Sequence, residues 1–158
     1  MKKRYAFLFA LMAFTLFIFM RSLKNAEDSS DESRLIVRII VDIIERFNEN
    51  PPANIREIVT VIVRKCAHVA EYAVHSILAF GLFSTFEGAI RRFLPSMMFL
   101  GLFTACVDEA IQLTSAGRAG MVEDVFIDFG GTLVGICICM LVGSIYNRRK
   151  KLNNNSMN

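Results

Sequence analysis

Apolar residues gather in four stretches of this chain, and the ionisable residues at their ends are placed unevenly. Tyr5 to Met20, Cys66 to Phe86, Phe93 to Leu113 and Val125 to Tyr146 each approach the ~20 mostly apolar residues that a membrane span needs. The first is short, bounded by Lys2-Lys3-Arg4 and Arg21, and begins like a signal peptide. Phe17 to Arg21 offers no small-x-small cleavage site, so an uncleaved signal anchor is expected. Ser22 to Ser33 lacks periodicity and reads as a loop. Over 34–47, Arg34, Arg38, Asp42 and Arg46 recur every four residues among Leu, Ile and Val. That pattern predicts an amphipathic helix, lying in the outer interface or packed over the outer mouth of the bundle. Pro51-Pro52 ends it. The expected fold is all-α, an integral membrane four-helix bundle with this extra helix between spans one and two. It forms a single domain over 1–152, with an Asn-rich, disordered tail over 153–158.

Composition supports the membrane reading. Of 158 residues 54% are hydrophobic, and the mean hydropathy of +0.44 is too apolar for an ordinary soluble domain of this size. The net charge of +3 is modest, and its distribution carries more information. Lys2, Lys3 and Arg4, then Arg91 and Arg92, then Arg148 to Lys151 all fall on one side of a chain that crosses four times. By the positive-inside rule that side is cytoplasmic, with both termini in the cytoplasm of a bacterial cell. Arg64 and Lys65 at the outer end of the second span run against the rule. Cys66, Cys106, Cys137 and Cys139 sit in apolar segments without zinc-ribbon spacing, so they are expected to be buried small hydrophobes.

The ionisable residues within the spans form the main chemical signal, since such groups are costly in hydrocarbon. On the second span His68, Glu71 and His75 share one helical face. Asp108, Glu109 and Gln112 cluster near the end of the third, and Asp124 and Asp128 lie one turn apart at the start of the fourth. If consecutive spans alternate in direction, all three groups reach the outer end at one depth. Gly131 and Gly135 continue the Asp128 face as a GxxxG pair of the kind that lets membrane helices approach closely. His75 is expected to be a satisfied bundle residue, and Thr104 to bond back to its own helix.

The run Arg64-Lys65-Cys66-Ala67-His68-Val69-Ala70-Glu71-Tyr72, the run Asp108-Glu109-Ala110-Ile111-Gln112, and Gly117-Arg118, Asp124, Asp128, Gly131 and Gly135 together resemble the VanZ-like family of bacterial membrane proteins. That family is named for a teicoplanin-resistance protein. The resemblance covers residues 64 to 135 and implies a four-span envelope protein with an outward-facing polar site. Its site residues would be Lys65, His68, Glu71, Tyr72, Asp108, Glu109, Gln112, Arg118, Asp124 and Asp128. Asp128 stands where members often carry asparagine.

Several functions fit these groups. Crowded carboxylates in a low-dielectric site cannot all ionise, and a neutral acid beside an ionised base suits acid/base catalysis. His68, Glu71, Asp108 and Glu109 are the candidate catalytic cluster on a lipid-linked substrate. Lys65, Tyr72, Gln112, Arg118, Asp124 and Asp128 are the candidate binding residues. A pocket that only binds a surface lipid, wall precursor or glycopeptide antibiotic fits equally, and an ion-pair network that fixes helix register is the third alternative. A divalent metal on His68, Glu71, Asp108 and Asp128 has no compact ligand signature to support it, and neither metal nor cofactor is expected. The expected partners are membrane lipids, with a wall precursor or glycopeptide antibiotic beside them. Nothing points to nucleic acid, and the sequence fixes neither the oligomeric state nor the presence of catalysis.

Overall fold

The computed structural model describes residues 2–24, 26–48, 50–115 and 121–155, without the side chains of 26–32 and 155. Five α-helices and one 3₁₀ turn make up the secondary structure, with no strand among the described residues. They are α1 (Lys2–Ser22), α2 (Ala26–Phe47), α3 (Ile55–Phe83), a 3₁₀ turn (Ile90–Phe93), α4 (Leu94–Gln112) and α5 (Val122–Asn155). All except α2 are long and apolar enough to cross a membrane, α4 being counted together with the turn before it. The four expected spans are therefore all present as helices.

Three boundaries differ from the sequence reading. The acid-rich segment expected to be a loop is the start of α2, which begins at Ala26. An acidic, polar run carries no apolar stripe, so no periodicity in the sequence announces the helix there. The segment from Ile55 to Val63, whose apolar spacing suits a helical lead-in, is continuous with the second span, which ends at Phe83 rather than Phe86. Helix α5 runs on to Asn155, into the stretch expected to be a tail, while 156–158 lie outside the described residues.

The connections position the helix ends. Pro95 stands in the first turn of α4, where its missing N–H has no intrahelical partner to lose. Before it, Gly88 takes φ 109°, a left-handed conformation that glycine adopts without steric cost. The chain thus reverses between α3 and α4. At this end Phe83, Phe86 and Phe93 pack together, the closest ring centroids 5.4 Å apart. Arg4 lies over the Phe86 ring at 4.1 Å and donates to the Thr85 carbonyl at 3.0 Å.

The most extensive helix contact joins α3 to α5. Gly131 and Gly135 make it possible. A Cβ on Gly131 would collide with the Val69 carbonyl and Tyr72 Cβ, and one on Gly135 with the Ala73 carbonyl and Ser76 Oγ. Beneath the polar end, Ile18, Tyr72 and Ala105 form a core cluster joined by Phe14, Phe19 and Val125. His75 is buried and reaches Thr15 Oγ1 at 3.1 Å, tying α3 to α1. Thr104 donates to its own helix at the Leu100 carbonyl, 2.8 Å away.

Helix α2 packs along the first turns of α3, where Val37 and Val41 bury against Val59. Leu35, Ile36, Ile39 and Ile43 remain exposed. Its apolar surface therefore both covers α3 and stays open to the surroundings. The cysteines depart from expectation. Cys66, Cys106 and Cys137 are exposed on the bundle and Cys139 is half-buried. The outside of a membrane bundle is as apolar as its inside, so a small hydrophobe gains little from burial within protein.

The glycine contacts generate a contrast. Gly131→Ala and Gly135→Ala are each expected to lower stability by about 1–3 kcal/mol, the usual cost of overpacking. Gly130 and Gly143 have open space where a Cβ would go, so alanine there should be neutral or stabilising by up to about 1 kcal/mol. Thermal unfolding in detergent micelles measures both pairs, and equal behaviour of all four variants would contradict this packing.

Candidate functional site

Alternating helix directions bring the end of α1, the first half of α3, the end of α4 and the start of α5 together. Side chains from all four meet there. Ser115 donates to the Ser22 carbonyl at 2.8 Å, so the segment just after α4 is fastened to the end of α1. Ser22 Oγ donates to Asp108 Oδ1, and Gln112 Nε2 donates to Asp108 Oδ2 at 3.3 Å. Asp108 is fully buried and held from two directions.

Ion pairs flank this centre. Arg21 of α1 pairs with Glu71 of α3 on one side. Lys65 of α3 pairs with Asp124 of α5 at 2.8 Å on the other. Between them, His68 Nδ1 lies 3.4 Å from Asp128 Oδ1 and 4.0 Å from Asp108 Oδ2. One imidazole N–H cannot hydrogen-bond two carboxylates. Asp128 is 1% exposed, and neither of its oxygens receives a hydrogen bond among the described residues. That is costly for a buried carboxylate.

His68 forms a wall shared by two open clefts. One is lined by Arg64, Lys65, His68, Gln112, Asp124, Ile127 and Asp128. The other is lined by Arg21, Ser22, His68 and Glu71. Each has a volume of about 10 Å³, room for roughly one water molecule and far below the ~300–1,000 Å³ typical of drug-sized ligand sites. Their walls carry mixed charge.

The structure thus draws Lys65, His68, Glu71, Asp108, Gln112, Asp124 and Asp128 to one level. Two expected residues stand apart. Tyr72 is fully buried in the core beneath the clefts and lines neither of them. Glu109 turns toward the start of α5, where its Oε2 accepts the Met121 N–H at 3.0 Å. This fastens a helix start, although Glu109 Oε1 remains buried without a partner. Arg118 and Gly117 lie outside the described residues.

Sequence reasoning missed Arg21 and Ser22. The signal was available, because the alternating directions that align the other groups also bring the end of the first span to the same level. Arg21 was read only as the charge bounding a span. It is the partner of Glu71.

A family model described as VanZ/LLP1 matches residues 7–143. The match includes the first span, which the motif resemblance alone did not reach. No curated protein and no solved structure matches the chain.

The Arg21–Glu71 contact has a direct test. Glu71→Gln alone leaves a half-buried guanidinium without its carboxylate and is expected to cost about 1–3 kcal/mol. Adding Arg21→Met should recover roughly 1 kcal/mol or more, measured as non-additivity in a double-mutant cycle. Strict additivity would show that the pair does not form.

Proposed function

Starting from the fact that the chain belongs to the VanZ/LLP1 family and is a multi-pass membrane protein, we propose that it is a bacterial envelope protein whose site faces the outer surface. The site takes the polar head of a surface lipid or lipid-linked wall precursor, and thereby changes susceptibility to glycopeptides of the teicoplanin type. One observation carries this reading. Charged and polar groups from all four spans converge at one end of the bundle and line two small clefts that open to its surface.

The orientation follows from charge. Lys2, Lys3, Arg4, Arg91 and Arg92 belong to the opposite end, which the positive-inside rule assigns to the cytoplasm. Lys65, the apparent exception in the sequence, pairs with Asp124 across the site and has a local partner to account for it. Arg64 lines the same cleft. The two cations suit an anionic group such as a phosphate.

Binding is favoured over covalent chemistry. Ser22 hydrogen-bonds Asp108 rather than His68, so the imidazole is not placed to take its proton. Cys66 is exposed on the bundle surface and lines neither cleft. Glu71 and Asp124 are both engaged in ion pairs.

A teicoplanin-sensitive Gram-positive host provides the test. Wild type is expected to raise the inhibitory concentration, and Glu71→Gln and Asp108→Asn to return it to the vector level at equal membrane abundance on a blot. Full protection by both variants would reduce the polar cluster to a structural network. No protection from wild type would remove glycopeptides from the proposal.

A further inference from the structure

Three ligand atoms from three helices face one another at the centre of the site. A nitrogen or oxygen from each of His68, Asp108 and Asp128 lies within 4.8 Å of the other two. We propose that these residues bind a first-row divalent cation such as Zn2+ or Mn2+. The inference rests on reading this end of the bundle as a functional site, and it places an ion where the sequence pattern alone carried no compact ligand signature.

Geometry supports it first. Tetrahedral ligands ~2.1 Å from a zinc ion stand roughly 3.4 Å apart. His68 Nδ1 and Asp128 Oδ1 have this separation, 3.4 Å, and His68 Nδ1 to Asp108 Oδ2 at 4.0 Å must close by about half an ångström. One imidazole with two carboxylates is a borderline-hard donor set, suited to zinc or manganese more than to the all-oxygen coordination of calcium.

The second argument is the state of Asp128. It is 1% exposed, both oxygens lack a hydrogen bond among the described residues, and it lines the cleft. Glu71 has Arg21, Asp124 has Lys65, Asp108 has Ser22 and Gln112, and Glu109 has the Met121 N–H, whereas Asp128 has only His68 Nδ1 at 3.4 Å, a group it shares with Asp108. A cation at the triad satisfies Asp128 and removes the competition of two carboxylates for one imidazole N–H.

The surroundings suit such an ion. Ser22 and Gln112 orient Asp108, as outer partners orient metal ligands in general. Arg21 and Lys65, which would otherwise repel a cation, are paired with Glu71 and Asp124. The cleft beside His68 leaves a coordination position open to water or to an anionic oxygen, beside Arg64 and Lys65.

Metal content decides the matter. The full chain, purified in micelles through a histidine-free tag and stripped with EDTA, is equilibrated with Zn2+ or Mn2+ and desalted. Elemental mass spectrometry should then find about one equivalent per chain. Asp128→Asn and His68→Gln, shown folded by circular dichroism and monodisperse elution, should each lose at least about tenfold in affinity. Glu123→Gln, an exposed acid on the same helix, should retain the ion. A folded wild type that holds neither metal, or equal retention in both triad variants, overturns the proposal. The susceptibility assay separates the two claims: loss of protection in Asp108→Asn without any metal refutes the ion alone, and a bound ion with full protection refutes the functional reading alone.

Discussion

The close approach of α3 and α5 is the contact from which the rest of the bundle takes its register. Hydrocarbon tails are as apolar as leucine, so these helices gain little from burying apolar side chains against each other and must fit closely to associate. Gly131 and Gly135 supply the fit by letting the backbones meet over Val69 and Ala73. The same contact sets Asp128 against His68, one turn toward the polar end. With that register fixed, α4 and α1 close round the remaining faces through Asp108, Ser22 and Arg21. Packing in the apolar part of the bundle therefore determines chemistry at its rim.

Much of the polar end behaves as a structural network would. Arg21–Glu71, Lys65–Asp124, Glu109 with Met121 and His75 with Thr15 each join two elements and satisfy a group that hydrocarbon would penalise. A network with that sole purpose leaves Asp128 with no more than a share of His68, whose Nδ1 lies 3.4 Å away and 4.0 Å from Asp108. It is buried and without a hydrogen bond among the described residues, at the wall of an open cleft. A cation held by all three residues would complete its partners, which argues for a ligand.

The sequence disclosed the spans, their alternating directions and the common level of the acids, because apolar length and helical rise are local properties. The GxxxG contact was legible for the same reason. Arg21 and Ser22 were not, since their role depends on α1 packing against α3 and α4, which no periodicity within α1 reports. The early start of α2 was hidden because an acidic, polar run carries no apolar stripe. The outward cysteines follow from a rule for soluble cores applied where lipid replaces water. Tyr72 belonged to the motif that identified the site, yet its ring fills the core below it. A sequence motif records which residues occur together, and only the structure separates those that line the clefts from those that support them.

The central claim is that this polar end opens to the outer surface of the membrane. Cysteine accessibility tests it most directly, in a chain whose four native cysteines are replaced by alanine. Arg64→Cys, at the cleft, should react with a membrane-impermeant maleimide in intact cells. Glu87→Cys, in the exposed turn between α3 and α4, should react only after the membrane is permeabilised. The reverse pattern would place the acid cluster on the cytoplasmic side and contradict the account.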